Sequence, residues 1–163
     1  SAFTLDGRHR TQTISTNPNP DVTPLQALPF MRIVPRLMQD GLVGRPDDRN
    51  YLALFPNFFL LCTPGNHFLH TVMPLSAEKS RGVIRLYWAG KDETAGIRYA
   101  REAIMATTRD IHSEHVAVIQ AGQRGLSSGA LEHVHFMEKE ILCRHLIKVV
   151  EDTVEAYKKE MAG

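Results

Sequence analysis

The 163-residue chain carries eight histidines, and most of them fall into close pairs: His67 and His70, His112 and His115, His133 and His135. Imidazoles bind metals and exchange protons near neutral pH, so spacing decides what each pair can do. His67-Phe68-Leu69-His70 lies in a strand-like run, where a separation of three sends the two rings to opposite faces and makes joint chelation poor. His133 and His135 share a face if extended, but no third imidazole or thiol is beside them in sequence. For both pairs, surface or internally satisfied histidines are the simpler reading, because a metal site needs several convergent ligands. His112 and His115 are more suggestive. They stand three apart at the start of an expected helix, with Asp110 and Glu114 beside them, so an imidazole or a carboxylate can project toward a pocket.

Cys143-Arg144-His145 has the Cys-x-His spacing of half a Rieske-type iron–sulfur ligand set. The other half is missing. Cys62 has no histidine two or three positions on, and Cys143 sits inside a strongly helical pattern rather than a glycine-rich loop, so no 2Fe–2S ligands are expected here. The chain also contains no glycine-rich phosphate loop and no His-Glu-x-x-His pair.

The elements that must position these groups follow from periodicity. Thr11 to Thr16 alternates like a strand, and Asn17-Pro18-Asn19-Pro20-Asp21 forbids regular structure. From Pro24 to Leu42, apolar residues recur at helical spacing, but Pro29 and Pro35 break the helix. Three strand-like runs follow, Tyr51 to Thr63, His67 to Leu75 and Gly82 to Ala89, with short polar separators that suit an antiparallel meander. After Asp92 the pattern turns helical, with Ile97, Ala100, Ile104 and Met105 on one face, and a second helix is expected over about Ser113 to Gly122. The last helix has the clearest pattern: Ile141, Leu142, His145, Leu146, Val149, Val150, Val154 and Tyr157 trace one stripe. A long terminal helix across an antiparallel sheet gives an α+β, helix-grip fold with a cavity between the two, suited to a small apolar ligand.

Composition narrows the function. A chain this long, 43% hydrophobic, can bury the core of one domain. Nineteen basic residues against eighteen acidic ones, without a basic run, argue against a nucleic-acid partner. The longest apolar run, Asn57 to Thr63, is far too short to span a membrane, and residues near the N-terminus do not resemble a signal peptide, so a cytoplasmic protein is expected. Aromatics at strand spacing, Phe55, Phe58, Phe59, Phe68, Tyr87 and Trp88, are ordinary core material before they are ligand contacts.

Three segments, in order, resemble the catalytic domain of Rieske non-heme iron, ring-hydroxylating oxygenase alpha subunits. Asn50 to Leu60 looks like one of that domain's strands, and Val72-Met73-Pro74-Leu75 to Arg85-Leu86-Tyr87-Trp88 looks like the next two. Val116 through Gln123-Arg124-Gly125-Leu126-Ser127-Ser128-Gly129, then Glu138 and the helix from about Ile141, is similar to the family's ligand helix, its Gln-x-Gly-Leu turn and its closing helix. The resemblance implies a helix-grip domain holding mononuclear Fe(2+) on two histidines and a carboxylate. It further implies a small aromatic substrate, other oxygenase subunits, a reductase and a trimeric assembly.

Held in register on Gln123-Arg124-Gly125-Leu126, the family's ligand aspartate falls on His115, and Asp110 is the nearest aspartate; both stay open as the third iron ligand. Phe58, Phe68 and His112 are candidate substrate contacts. The family's His-x-x-x-x-His pair does not occur in these residues, so iron affinity is expected to be weak or absent and the reading is of one partial catalytic domain over 1–163 without a Rieske domain. A metal-free helix-grip module that binds a small molecule, or a structural subunit, is the alternative.

Overall fold

The computed structural model describes residues 2–15, 48–63, 65–90, 94–131 and 133–163, together with Pro35, Arg36 and Gln39. Six strands form one antiparallel sheet in sequential order: β1 (Ala2–Asp6), β2 (His9–Ser15), β3 (Asp48–Leu54), β4 (Phe58–Thr63), β5 (Asn66–Ser76) and β6 (Lys79–Trp88). Two long helices follow, α1 (Ala95–Ser127) and α2 (Ile141–Ala162), completing an α+β architecture of the helix-grip kind.

Local chemistry explains the turns. Asp6 pairs with His9, which leaves Gly7 and Arg8 as a two-residue loop. Gly7 takes φ 54° while no non-glycine residue among the described ones, Arg8 included, has positive φ, the pattern of a II′ hairpin. The β5–β6 connection is equally tight, with Ser76 opposite Lys79.

Two sequence expectations need correction here. The run from Tyr51 to Thr63 is two strands, because Leu54 pairs with Phe58 across a turn at Phe55-Pro56-Asn57. Apolar residues run straight through that turn and hide it; Pro56, which cannot donate to a ladder, marks the break. The two helices expected after Asp92 are one, α1, since Thr107 and Ser113 return their hydroxyls to the carbonyls of Ala103 and Arg109 and do not end it. Strand β1 was not expected at all. The Asn17–Asp21 linker and nearly all of the broken helix over Pro24–Leu42 lie outside the described residues.

Helix α1 starts at Thr94, whose hydroxyl accepts from Ile97 N at 3.3 Å. Its first turns dock on the end of the sheet: Ala100, only 1% exposed, packs with Ala89 and Ile104, and the Arg101 guanidinium lies 5.7 Å from the Trp88 ring centre. At the other edge of the sheet, α2 is tied down by His145, whose Nε2 donates to Gly7 O at 3.0 Å. Among the described residues the buried apolar side chains are Phe68, Ile97, Ala100 and Val149, so the core is thin and concentrated under the helices. No helix among the described residues is long and apolar enough to cross a membrane.

Candidate functional site

Alternation along the strands decides which side chains face the helices. Cross-strand partners share a face, and so do residues two apart. Tyr51 pairs with Leu61, Leu61 with Phe68, and Phe68 with Leu86; Phe59 pairs with His70, and His70 with Ile84. All of these lie on one face. On it the rings form a row, with Tyr51 and Phe59 centred 5.8 Å apart, Phe59 and Phe68 6.5 Å apart, and Phe68 stacked on His112 of α1 at 5.0 Å and 22°.

His112 is therefore held twice. Its ring stacks on Phe68, and its Nδ1 donates to Thr108 O at 2.7 Å, one turn earlier in the helix. A carbonyl can only accept, so the neutral ring carries its proton on Nδ1 and leaves the Nε2 lone pair free. His70 meets His112 edge-on, 6.2 Å away at 84°, and meets Phe68 in the same way at 6.1 Å. Its imidazole occupies space that only a glycine leaves open: a Cβ on Gly82 would stand 2.8 Å from His70 Nε2. Burial, and after it the neighbouring His112, holds the His70 pKa below the usual histidine value.

Beside this cluster an open cleft of about 500 Å³ runs between β6 and α1. Ile84 and Leu86 form its floor, Met105 and Val116 its apolar wall, and Thr108, Arg109, His112 and Ser113 its polar side. The helix residues recur at steps of three and four, the spacing of one helix face.

The structure distributes the expected site residues unevenly. Phe68 and His112 come together at the cluster, Phe68 almost fully buried. Phe58 corrects the expectation made for it, because it pairs with Thr71 and, next to Phe59, must face the other side of the sheet. His115 stands 5.7 Å from His112, on an exposed part of the helix. Asp110 precedes His112 by two positions, which places it about 160° around the helix. Its carboxylate is engaged there by Arg109, at 3.2 Å from both Nε and an Nη. His67 is exposed on the outer face, and His133 and His135 lie 6.4 Å apart on an exposed segment. Cys62 and Cys143 are both free, and burial pushes the Cys62 thiol pKa up.

Spacing within one element did not reveal His70 or Gly82. His70 finds its partner on another element, and the usable signal was Phe68 and His70 two apart on a strand, hence on one face.

Residues 1–156 match the family described as ring hydroxylating alpha subunit, catalytic domain. The chain belongs to that family. No curated protein and no solved structure matches it at the same level. The family is a non-heme iron oxygenase domain, so this chain's donors are tested against that metal. A three-ligand facial site needs its donors aimed at one point. Among the described residues no group of three His, Cys, Asp or Glu side chains is so placed. His112 has a free Nε2 of the right kind, but His115 is set apart from it and Asp110 is turned to Arg109. The described residues thus do not assemble the iron site by themselves.

Proposed function

We propose that this chain is the substrate-pocket portion of a ring-hydroxylating oxygenase alpha subunit. In the complete oxygenase a small aromatic molecule is hydroxylated or dihydroxylated with dioxygen at mononuclear iron, with electrons from NAD(P)H arriving through a separate reductase. The observation that carries this reading is the cleft between β6 and α1, apolar on its floor and one wall and met on its polar side by an imidazole of fixed orientation. The apolar side chains of Ile84, Leu86, Met105 and Val116 suit a planar ring, and burial of that ring in the cleft would exclude water from it. His115 and Asp110 remain the two candidates for the chain's own contribution to iron binding. A cytoplasmic setting, in which Cys62 and Cys143 stay reduced, belongs to the same proposal.

Other subunits are part of the reading as well. Val118 and Ile119 on α1, then Leu131, Val134 and Met137 after it, are exposed apolar side chains clustered in sequence. Such surface fits burial against another chain of a trimeric oxygenase.

A second reading is favoured by the geometry of Asp110. With its carboxylate held by Arg109, the domain resembles a metal-free helix-grip module that binds a small apolar molecule. Metal analysis and anaerobic ferrous-iron titration separate the two. On the oxygenase reading the native protein keeps weak ferrous-iron binding through its own donor, and either His115→Ala or Asp110→Ala loses it, naming the ligand. No iron in any form would sink the oxygenase reading for this chain and leave the binding module.

A further inference from the structure

We propose that the cleft between β6 and α1 selects aromatic rings bearing a hydroxyl group, and that His112 Nε2 is the acceptor that reads it. The inference rests on the reading of this cleft as a pocket for small aromatic molecules and adds the substituent that the pocket recognises.

The argument begins with the His112 tautomer. Its Nδ1 is committed to Thr108 O at 2.7 Å, within the helix, so the neutral ring presents an unprotonated Nε2 on its far side. No hydrogen bond within the described residues uses that nitrogen. The stack on Phe68, 5.0 Å and 22°, fixes the plane of the ring. Two independent contacts therefore set both the orientation and the hydrogen-bonding sense of one group lining the cleft, the arrangement that gives a site specificity rather than mere affinity.

An acceptor in this place discriminates by sign. A phenolic O–H donates to Nε2, while the same ring without the hydroxyl, or with the oxygen methylated, leaves the imidazole lone pair facing an apolar group. The remaining lining is compatible with such a ligand. Ile84, Leu86, Met105 and Val116 take the ring, and the Ser113 hydroxyl gives its proton to Arg109 O at 2.9 Å. The helical positions of Asp110 and Glu114, two residues on either side of His112, place both carboxylates on the far side of α1. Among the groups lining the cleft, His112 is thus the imidazole acceptor, held by both its stack and its hydrogen bond.

The test uses phenol, anisole and toluene, matched in ring and differing in the donor, with dissociation constants measured on the native protein and on His112→Phe. Phenylalanine keeps a ring to stack on Phe68 and removes the acceptor. We expect phenol to bind native protein about tenfold more tightly than anisole or toluene, the effect of one hydrogen bond to an otherwise unpaired group. In His112→Phe the three should bind alike. A second measurement needs no variant: in imidazole nitrogen NMR, phenol should move the His112 Nε2 resonance and leave Nδ1 in its protonated position. Equal binding of the three ligands by native protein overturns the hydroxyl selectivity but leaves the aromatic cleft standing. Failure of all three to bind overturns both.

Discussion

The His70 imidazole lies over Gly82, on the adjacent strand, so closely that a Cβ there would stand 2.8 Å from Nε2. Gly82 pairs with Val72, two residues along from His70 on the same face, which is why the ring leans across to it. Gly82→Ala should therefore evict the ring rather than break the strand, because the colliding atom is the far end of a side chain that can rotate. We expect a stability change within about 1 kcal/mol, as for most changes at exposed positions. The imidazole should lose its edge-on contacts with Phe68 and His112 and become more exposed. Its pKa, followed by NMR, should then rise toward the usual value of about 6.5. An unchanged His70 titration in Gly82→Ala would mean that the glycine does not shape this site.

Acid should weaken the fold through the same residue. Burial and the neighbouring His112 depress the His70 pKa in the folded protein, so on acidification the unfolded chain takes up a proton first. The stability linked to His70 is then fully present above about pH 6.5, the unfolded value, and is lost as pH falls through the lower folded value. Urea midpoints measured between pH 8 and pH 5 should fall on the acid side, and less steeply in His70→Asn than in the native protein. Parallel curves for the two proteins would remove His70 as the cause.

Where the sequence could be read and where it could not follows from the range of each interaction. The stripe from Ile141 to Tyr157 and the alternation of β5 and β6 depend on neighbours within one element, and both elements stand where periodicity puts them. The Phe55-Pro56-Asn57 turn was missed because Leu52, Leu54, Phe58 and Leu60 keep the chain apolar on either side of it. The family resemblance rested on short segments in order and extends in fact over residues 1–156. The site was harder. Phe68 and His112 could be proposed one at a time, but their stacking, and the approach of His70, depend on how α1 crosses β5, a tertiary relationship that no spacing encodes. Phe58 was misplaced for the opposite reason: beside Phe59, one of the two had to face away, and only the pairing of Phe58 with Thr71 tells which.

Phe68 is the main apolar link between the sheet and the middle of α1. It is 8% exposed and its ring meets Phe59, His70 and His112. Phe68→Ala should cost about 3 kcal/mol, the usual scale for removing a buried aromatic ring. The loss should also be local: amide hydrogen exchange in α1 around Thr108 to Val116 should quicken more than exchange near Ala100, which has its own contact with Ala89. A cost below about 1 kcal/mol would show that the aromatic row is not what docks the helix.

The attachment of α2 is narrower still. His145 Nε2 donates to Gly7 O at 3.0 Å, joining the final helix to the first hairpin, while its Nδ1 is buried with no hydrogen-bond partner among the described residues. His145→Ala removes a hydrogen bond and an unsatisfied acceptor together, and the two effects partly cancel, because an unpaired buried polar atom is itself costly. The global change should then be no more than about 1 kcal/mol. The hairpin should show the difference more clearly. With its tether gone, β1 is an edge strand made of exposed side chains, and its amides should exchange faster while those of β5 stay protected. Unchanged exchange in β1 would mean that pairing with β2 holds the hairpin unaided, and would leave Val149, the buried residue of α2, as the contact that positions the helix.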